Sequence, residues 1–345
     1  MNNWKKAGLT ALAGSLVATS AYAGAVTVSG TANLTYAAKS GAEDSVGTSY
    51  ASGVGVGVDG DRWGINKTLS FSGSGEMDNG WTVSVSQGLA NGAISGLGMT
   101  VDMGDLGSLN YETSTGARGI GKIKDMMPTA DEDVGNGIDA DGSGTVGGLS
   151  GTVSGGVKGF HYSNSVNDMI EIGVGYTPKG AGGNANGAVS GAGAAASTQS
   201  AYVKLDPMDG LEVGFGVGEV ASGQTGDNSQ TDDHTTYYAT YVYGPVTVGY
   251  QFSEVDAVNS SSADDEQTRW AVLYALNDEI SISYQNHTSE SSLSTETTDE
   301  EAEGWSVSYT TGGMTFKAHT NSADNVNNSA NMESEHTEVG VTFAF

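Results

Sequence analysis

Across 345 residues the chain carries 41 acidic against 13 basic side chains, 53 glycines, four prolines and no cysteine, for a formal charge of −28. That charge excludes a phosphate-neutralising nucleic-acid binder, and the missing thiols exclude disulfide scaffolds, thiolate metal centres and thiol nucleophiles. A mean hydropathy of −0.25 leaves no polytopic helical membrane protein, yet aromatics reach 8% with 15 Tyr, more than a solvated acidic tail carries.

The first 23 residues read as a secretory signal. Lys5 and Lys6 form its basic start, Ala7 to Ala18 its apolar middle, and Ala21-Tyr22-Ala23 its cleavage site, so the mature chain is expected to begin at Gly24, after the Ala23–Gly24 bond. No later stretch approaches the roughly 20 apolar residues of a transmembrane helix, so any membrane crossing falls to strands.

From there on, apolar residues recur with period two and nowhere with the i, i+3, i+4, i+7 spacing of a helix. Val26, Val28, Leu34 and Tyr36 share one parity against Thr27, Ser29, Thr31, Asn33 and Thr35. Ile65, Leu69 and Phe71 lead through Asp78-Asn79-Gly80 to Trp81, Val83, Val85 and Leu89; an Asn-Gly step between alternating runs marks a hairpin. The same alternation continues through Leu97 to Tyr111, Phe160 to Tyr176, Gln199 to Val217, Tyr237 to Phe252, Trp270 to Tyr284 and Trp305 to Phe316, and ends on Val339, Val341, Phe343 and Phe345. Sixteen strands are expected, each near the 9 to 11 residues that a tilted membrane strand needs.

The connections alternate as well. Short turns at 78–80, 104–107, 206–210, 244–245 and 277–279 take turns with polar loops at 38–62, 114–155, 179–198, 220–233, 253–267, 286–302 and 320–335, with one brief loop near 90–95. Acids expected inside strands (Glu76, Asp102, Glu112, Glu171, Glu212 and Glu338) all lie on the parity opposite the apolar residues, as a lipid-facing band requires. Lys67 and Lys158 break that rule close to the long loops, where their stems can snorkel. Trp81, Tyr162, Tyr243, Tyr309 and Phe345 flank short turns, and Tyr36, Tyr176, Phe252, Trp270, Tyr284 and Trp305 lie near long loops, a division into two interfacial girdles. The fold class expected is an all-β transmembrane antiparallel up-and-down barrel of 16 strands, with short periplasmic turns and long extracellular loops.

The chain resembles the general porins of Gram-negative bacteria. The resemblance rests on the signal, the sixteen alternating strands, the terminal run Glu338 to Phe345, and two segments: Leu106-Gly107-Ser108-Leu109-Asn110-Tyr111, similar to the strand that enters a porin constriction loop, and Lys158 to Pro178, similar to the hairpin that follows it. It implies an outer-membrane diffusion channel for small hydrophilic solutes, not an enzyme, built as a homotrimer. Its partners would be outer-membrane lipid and lipopolysaccharide, and Phe343 and Phe345 in the last strand would address the barrel-assembly machinery. It also implies that the third long loop, residues 114–155 here, folds inward to narrow the pore. A loop of that length is foreign to an ordinary compact domain.

On that loop Asp125, Asp131, Glu132 and Asp133 follow Arg118, Lys122 and Lys124. In related porins such acids face a basic wall; here only Arg269 and Lys317 are clear inward cations, with Lys204 ambiguous, so a cation-preferring pore is expected. Asp139, Asp141, Ser143 and Thr145 place oxygens like the start of an EF-hand loop, a candidate calcium site, although position 12 is Ser150 in place of Glu. No other cofactor is expected. Two G-x-G-x-x-G matches, at 55–60 and 142–147, precede no helix and lose their phosphate-binding sense, and the five His show no ligand spacing. Two alternatives remain. An outer-membrane barrel enzyme would need a clustered Asp/His or Ser/His set, and a secreted calcium-binding adhesin would need tandem repeats.

Overall fold

The computed structural model describes residues 26–40, 60–112, 118–138, 159–178, 197–221, 231–257, 264–292, 298–328, 330 and 332–345. The expected signal, with Ala23 and Gly24, and the calcium-like loop of Asp139, Asp141, Ser143 and Thr145 lie outside these residues. Sixteen strands form in order: β1 Thr27–Ser40, β2 Gly60–Glu76, β3 Thr82–Ala90, β4 Ala93–Asp102, β5 Ser108–Glu112, β6 Gly159–Asn167, β7 Ile170–Thr177 and β8 Thr198–Met208. The second half comprises β9 Leu211–Ala221, β10 Thr231–Tyr243, β11 Val246–Asp256, β12 Asp265–Ala275, β13 Ile280–Ser291, β14 Glu300–Thr311, β15 Met314–Asp324 and β16 Glu333–Ala344. Each pairs antiparallel with its sequence neighbours, and β1 closes on β16 from Thr31↔Ala344 to Ser40↔Glu335. Beyond that register Gly30 and Phe345 exchange both backbone hydrogen bonds, at 2.8 and 3.0 Å, so the last residue is tied into the closure. A closed sheet leaves no unpaired edge, which a bilayer would not tolerate.

Alternation sorts the side chains as the period requires. One parity is apolar and exposed, and contains Ile65, Val174, Phe215, Val248 and Val339. The other is polar and meets the chain segment 118–138, and is therefore the lumen face. Both aromatic girdles point outward: Trp270, Tyr284 and Trp305 form a run with ring centroids 5.3 and 4.8 Å apart. Trp63, 70% exposed and 5.3 Å from Tyr36, adds to the upper girdle. Lys67 lies beside the turn Asn91-Gly92, its carbonyl accepting from the Asn91 N–H and its own N–H donating to Asn91 Oδ1, which puts its ammonium at the rim. That turn has φ of 51° and 90°, the two left-handed residues of a type I′ hairpin.

Two expectations change. The turn expected at 206–210 shrinks to Asp209-Gly210, because β8 continues to Met208 through a register shift after Leu205 that accommodates Pro207, which has no N–H to give a ladder. More consequentially, strands run farther into the long loops than the apolar alternation reached, so many acids read as loop residues are strand residues. On the outward parity they face one another across strands: Glu219–Asp233–Asp256, Glu254–Glu266–Glu290 and Glu301–Asp324–Glu333. They lie above the upper girdle, where water replaces lipid and charge is permitted. Beyond Lys204 the only cations in the sequence are Arg269 and Lys317, both on the lumen parity, so these rows have no neighbouring outward ammonium or guanidinium on their own strands.

Like charges directly opposite cost a few tenths to about 1 kcal/mol per pair, a cost that salt screens. The unfolding midpoint of detergent-solubilised protein is expected to rise between about 0.01 M and about 1 M salt, as the screening length falls from about 30 Å to about 3 Å. Asp324→Asn, in the middle of one row, should flatten that rise. A midpoint indifferent to salt would mean the rows are already neutralised.

Candidate functional site

The segment 118–138 leaves β5 and lies flat along the lumen wall. It holds a single short 3-10 turn, Gly119–Ile123, so most of its peptide groups need partners elsewhere. The wall supplies them strand by strand. The Gly119 N–H donates to His161 Nδ1 (3.1 Å) on β6 and the Ile120 N–H to Ser200 Oγ (3.2 Å) on β8. Gln251 on β11, 1% exposed, accepts from the Met126 N–H (3.0 Å) and donates to the Ile123 carbonyl (2.7 Å). Ser283 and Gln285 on β13 accept from the Ala130 and Val134 N–H groups, and Ser306 on β14 from that of Asp131. On β15, Asn321 donates to the Asp133 and Asn136 carbonyls at 3.2 and 2.9 Å.

Apolar contacts hold both ends. Ile120 and Ile123 pack with Tyr202, Val220 and Tyr238, while Val134 and Ile138 pack with Ala302, Ala323, Val326 and Met332. Two glycines bracket the segment at φ +50° (Gly119) and +79° (Gly137). A Cβ on the first would collide with Ser200 and on the second with the His336 ring, so both position and conformation demand glycine.

The charged residues named from the sequence come together here, though as contact pairs and not as fields across open lumen. Lys317 Nζ lies 2.6 Å from Asp131 Oδ1, and His319 Nδ1 lies 3.0 Å from Asp131 Oδ2; His319 Nε2 in turn meets His336 Nδ1 at 3.2 Å. Burial pushes the Asp131 carboxyl up, but hydrogen bonds from His319 and Lys317 and their charge outweigh it and hold it below the usual range. Arg269 Nη1 stands 3.4 Å from Asp133 Oδ2 and 3.7 Å from Asp125 Oδ1. Burial drives Asp133 up to about 7 against the pull of Arg269, with Asp125 and Glu132 adding to the rise. Lys122, Asp125 and Glu132 are exposed toward the lumen and Lys124 is half-buried. Arg118 departs from the expected lumen row: it is 1% exposed at the foot of the segment, packed against Gly159. Lys204, ambiguous in sequence, points inward, opposite Glu171 in the β7–β8 register.

Facing the segment, the inner wall of β1–β5 presents hydroxyls and amides: Thr31, Asn33, Asn66, Thr68, Thr100 and Asn110, several joined by hydrogen bonds of 2.7 to 3.2 Å. Among the described residues no three His, Asp or Glu side chains are grouped to hold a metal, and no helix is long and apolar enough to cross a membrane.

A sequence profile described as Gram-negative porin matches residues 8–310. The chain belongs to that family. It is thus an outer-membrane porin channel, its strands crossing the bilayer and its lumen providing the path. Among solved structures, a porin refined at 1.8 Å resolution is 13% identical, with a TM-score of 0.66 over 93% of this chain and 100% of that one. A triple mutant of the Rhodopseudomonas blastica porin (12% identity, TM-score 0.59, 93% and 100% covered) and an anion-selective porin from Comamonas acidovorans (12%, 0.59, 93% and 99%) share the fold. No curated protein matches in sequence.

Proposed function

We propose that the pore passes small hydrophilic solutes and ions by passive diffusion with a preference for cations, that residues 118–138 form its constriction, and that the chain works as a homotrimer. Fold does not set the sign of selectivity, since the Comamonas acidovorans porin named as anion-selective has a similar barrel. Sign follows from the ionisable groups along the lumen. At the constriction charge nearly cancels, with Asp131 against Lys317 and with Asp125 and Asp133 around Arg269. Away from it the lumen parity carries Glu76, Asp102, Glu171, Glu212 and Glu338 against Lys204, and Asp232, Asp265 and Glu300 against Lys39 and Arg62 near the extracellular end. This surplus of lumen acids carries the reading, and on the wall opposite the segment the described lumen-facing cations are those same two, Lys39 and Arg62. Outward, the barrel would meet lipid and lipopolysaccharide, and the strand ending in Phe343 and Phe345 would address the assembly machinery.

Purified protein in a planar bilayer under a salt gradient tests this directly. Conductance should appear in steps grouped by three, with a reversal potential of cation sign. An anion-directed potential overturns the preference, and solitary steps overturn the trimer.

A further inference from the structure

Two strands carry the same inward pattern, an acid followed by two glycines: Glu171-Ile172-Gly173-Val174-Gly175 on β7 and Glu212-Val213-Gly214-Phe215-Gly216 on β9. On the strand after each, a tyrosine stands opposite the first glycine, Tyr202 opposite Gly173 and Tyr238 opposite Gly214. A Cβ at either glycine would come within 2.1 Å of the neighbouring ring, so each ring lies directly against bare backbone. Each hydroxyl then donates to the acid of its own unit, Tyr202 to Glu171 Oε1 and Tyr238 to Glu212 Oε1, both at 2.6 Å. The second glycines lie beneath the 3-10 turn: a Cβ on Gly175 would come within 2.6 Å of the Gly119 nitrogen, and one on Gly216 within 2.9 Å of both Ile120 and Ile123.

We infer that Glu171 and Glu212 are positioning residues of the constriction, acting through Tyr202 and Tyr238. The two rings are 6% and 2% exposed and form one cluster with Ile120 and Ile123, which are fully buried. Tyr202 also stacks on His161, the acceptor of the Gly119 N–H, with centroids 6.1 Å apart and 14° between planes. A tyrosine ring can swing about two bonds, and a hydrogen bond to a carboxylate, stronger than one between neutral groups, stops that swing. Two such buttresses on different strands fix both the height and the tilt of the turn. The glycines are what allow it, since any side chain there would lift the rings and the turn into the lumen.

The inference rests on residues 118–138 being the constriction, so its test separates the two ideas. The chain has no cysteine, so Asp125→Cys gives a single labelling site on the segment. A bulky thiol reagent on that variant should cut single-channel conductance, and conductance untouched by the label would sink the constriction reading. With that block established, Tyr202→Phe/Tyr238→Phe keeps both rings and every charge while removing both hydroxyls. Excursions to a higher-conductance level should become more frequent, about tenfold for each charge-assisted bond lost, at unchanged reversal potential and with little change in barrel melting. Glu171→Gln/Glu212→Gln, made with both tyrosines present, keeps a weaker acceptor oxygen for each hydroxyl and should show fewer excursions than the double Phe variant, while shifting the reversal potential because two lumen charges are gone. Parent-like current noise in the double Phe variant overturns the positioning role.

Discussion

Lys317→Met is expected to open the proposed constriction: single-channel conductance should rise, and sugars too large for the parent pore should enter proteoliposomes. Asp131 retains only 4% of its side-chain exposure, and its charge is held by Lys317 at 2.6 Å and His319 at 3.0 Å. Removing the ammonium leaves a buried carboxylate with one imidazole, and breaking a buried pair costs about 3–5 kcal/mol. Near this point the segment is attached by a few hydrogen bonds, the Ala130 and Asp131 N–H groups donating to Ser283 and Ser306 and Asn321 donating to the Asp133 and Asn136 carbonyls, each contributing about 0.5–1.5 kcal/mol. Lifting the carboxylate into the water of the lumen relieves the penalty at a comparable cost, so the released state becomes populated. Adding Asp131→Asn removes the uncompensated charge and should return conductance toward the parent value. Parent conductance in Lys317→Met alone would show that the pair does not hold the segment.

The barrel was legible because inside a bilayer the period-two signal is enforced on one face by lipid. Ile280, Ile282 and Tyr284 against Ser281, Ser283 and Gln285 can be read in no other way. Above the girdle that enforcement stops while the hydrogen-bond ladder continues, so Glu300-Glu301-Ala302-Glu303 and Asp265-Glu266-Gln267 look like loop and are strand. The acids of the segment 118–138 were legible as acids on the longest connection. Their partners were not, because most lumen-facing positions are polar: nothing marks Gln251 as a clamp beside any other inward amide until the segment lies on it. His319 and His336 carry no ligand spacing in the chain. They meet because the β15–β16 register sets Asn321 opposite His336 and His319 opposite Glu338, one diagonal step apart. The sequence places glycines in strands as well as loops but does not single out Gly173, Gly175, Gly214 and Gly216, which lie against Tyr202, Tyr238 and the 3-10 turn of the segment.

Between pH 8 and pH 6 the cation preference should fall, and Asp133→Asn should abolish the fall. Asp133 titrates near 7 because burial raises it more than Arg269 at 3.4 Å lowers it, with Asp125 and Glu132 nearby adding to the rise. Above that pH its charge helps to balance the guanidinium, which stays protonated throughout. Below it Arg269 loses the Asp133 charge and keeps that of Asp125, at 3.7 Å, so the proposed constriction gains positive character and repels cations. Stability moves with the opposite sense from an ordinary paired acid. The folded chain keeps the Asp133 proton in the window from about 4 up to 7, where the unfolded chain has released it, so stability contributed by this site is greatest at low pH and is lost as pH rises through 7. Reversal potentials and melting midpoints measured at pH 6 and pH 8 on parent and Asp133→Asn therefore give two linked readings of one proton. If the parent's potential does not move while its midpoint does, Asp133 titrates without facing the ions.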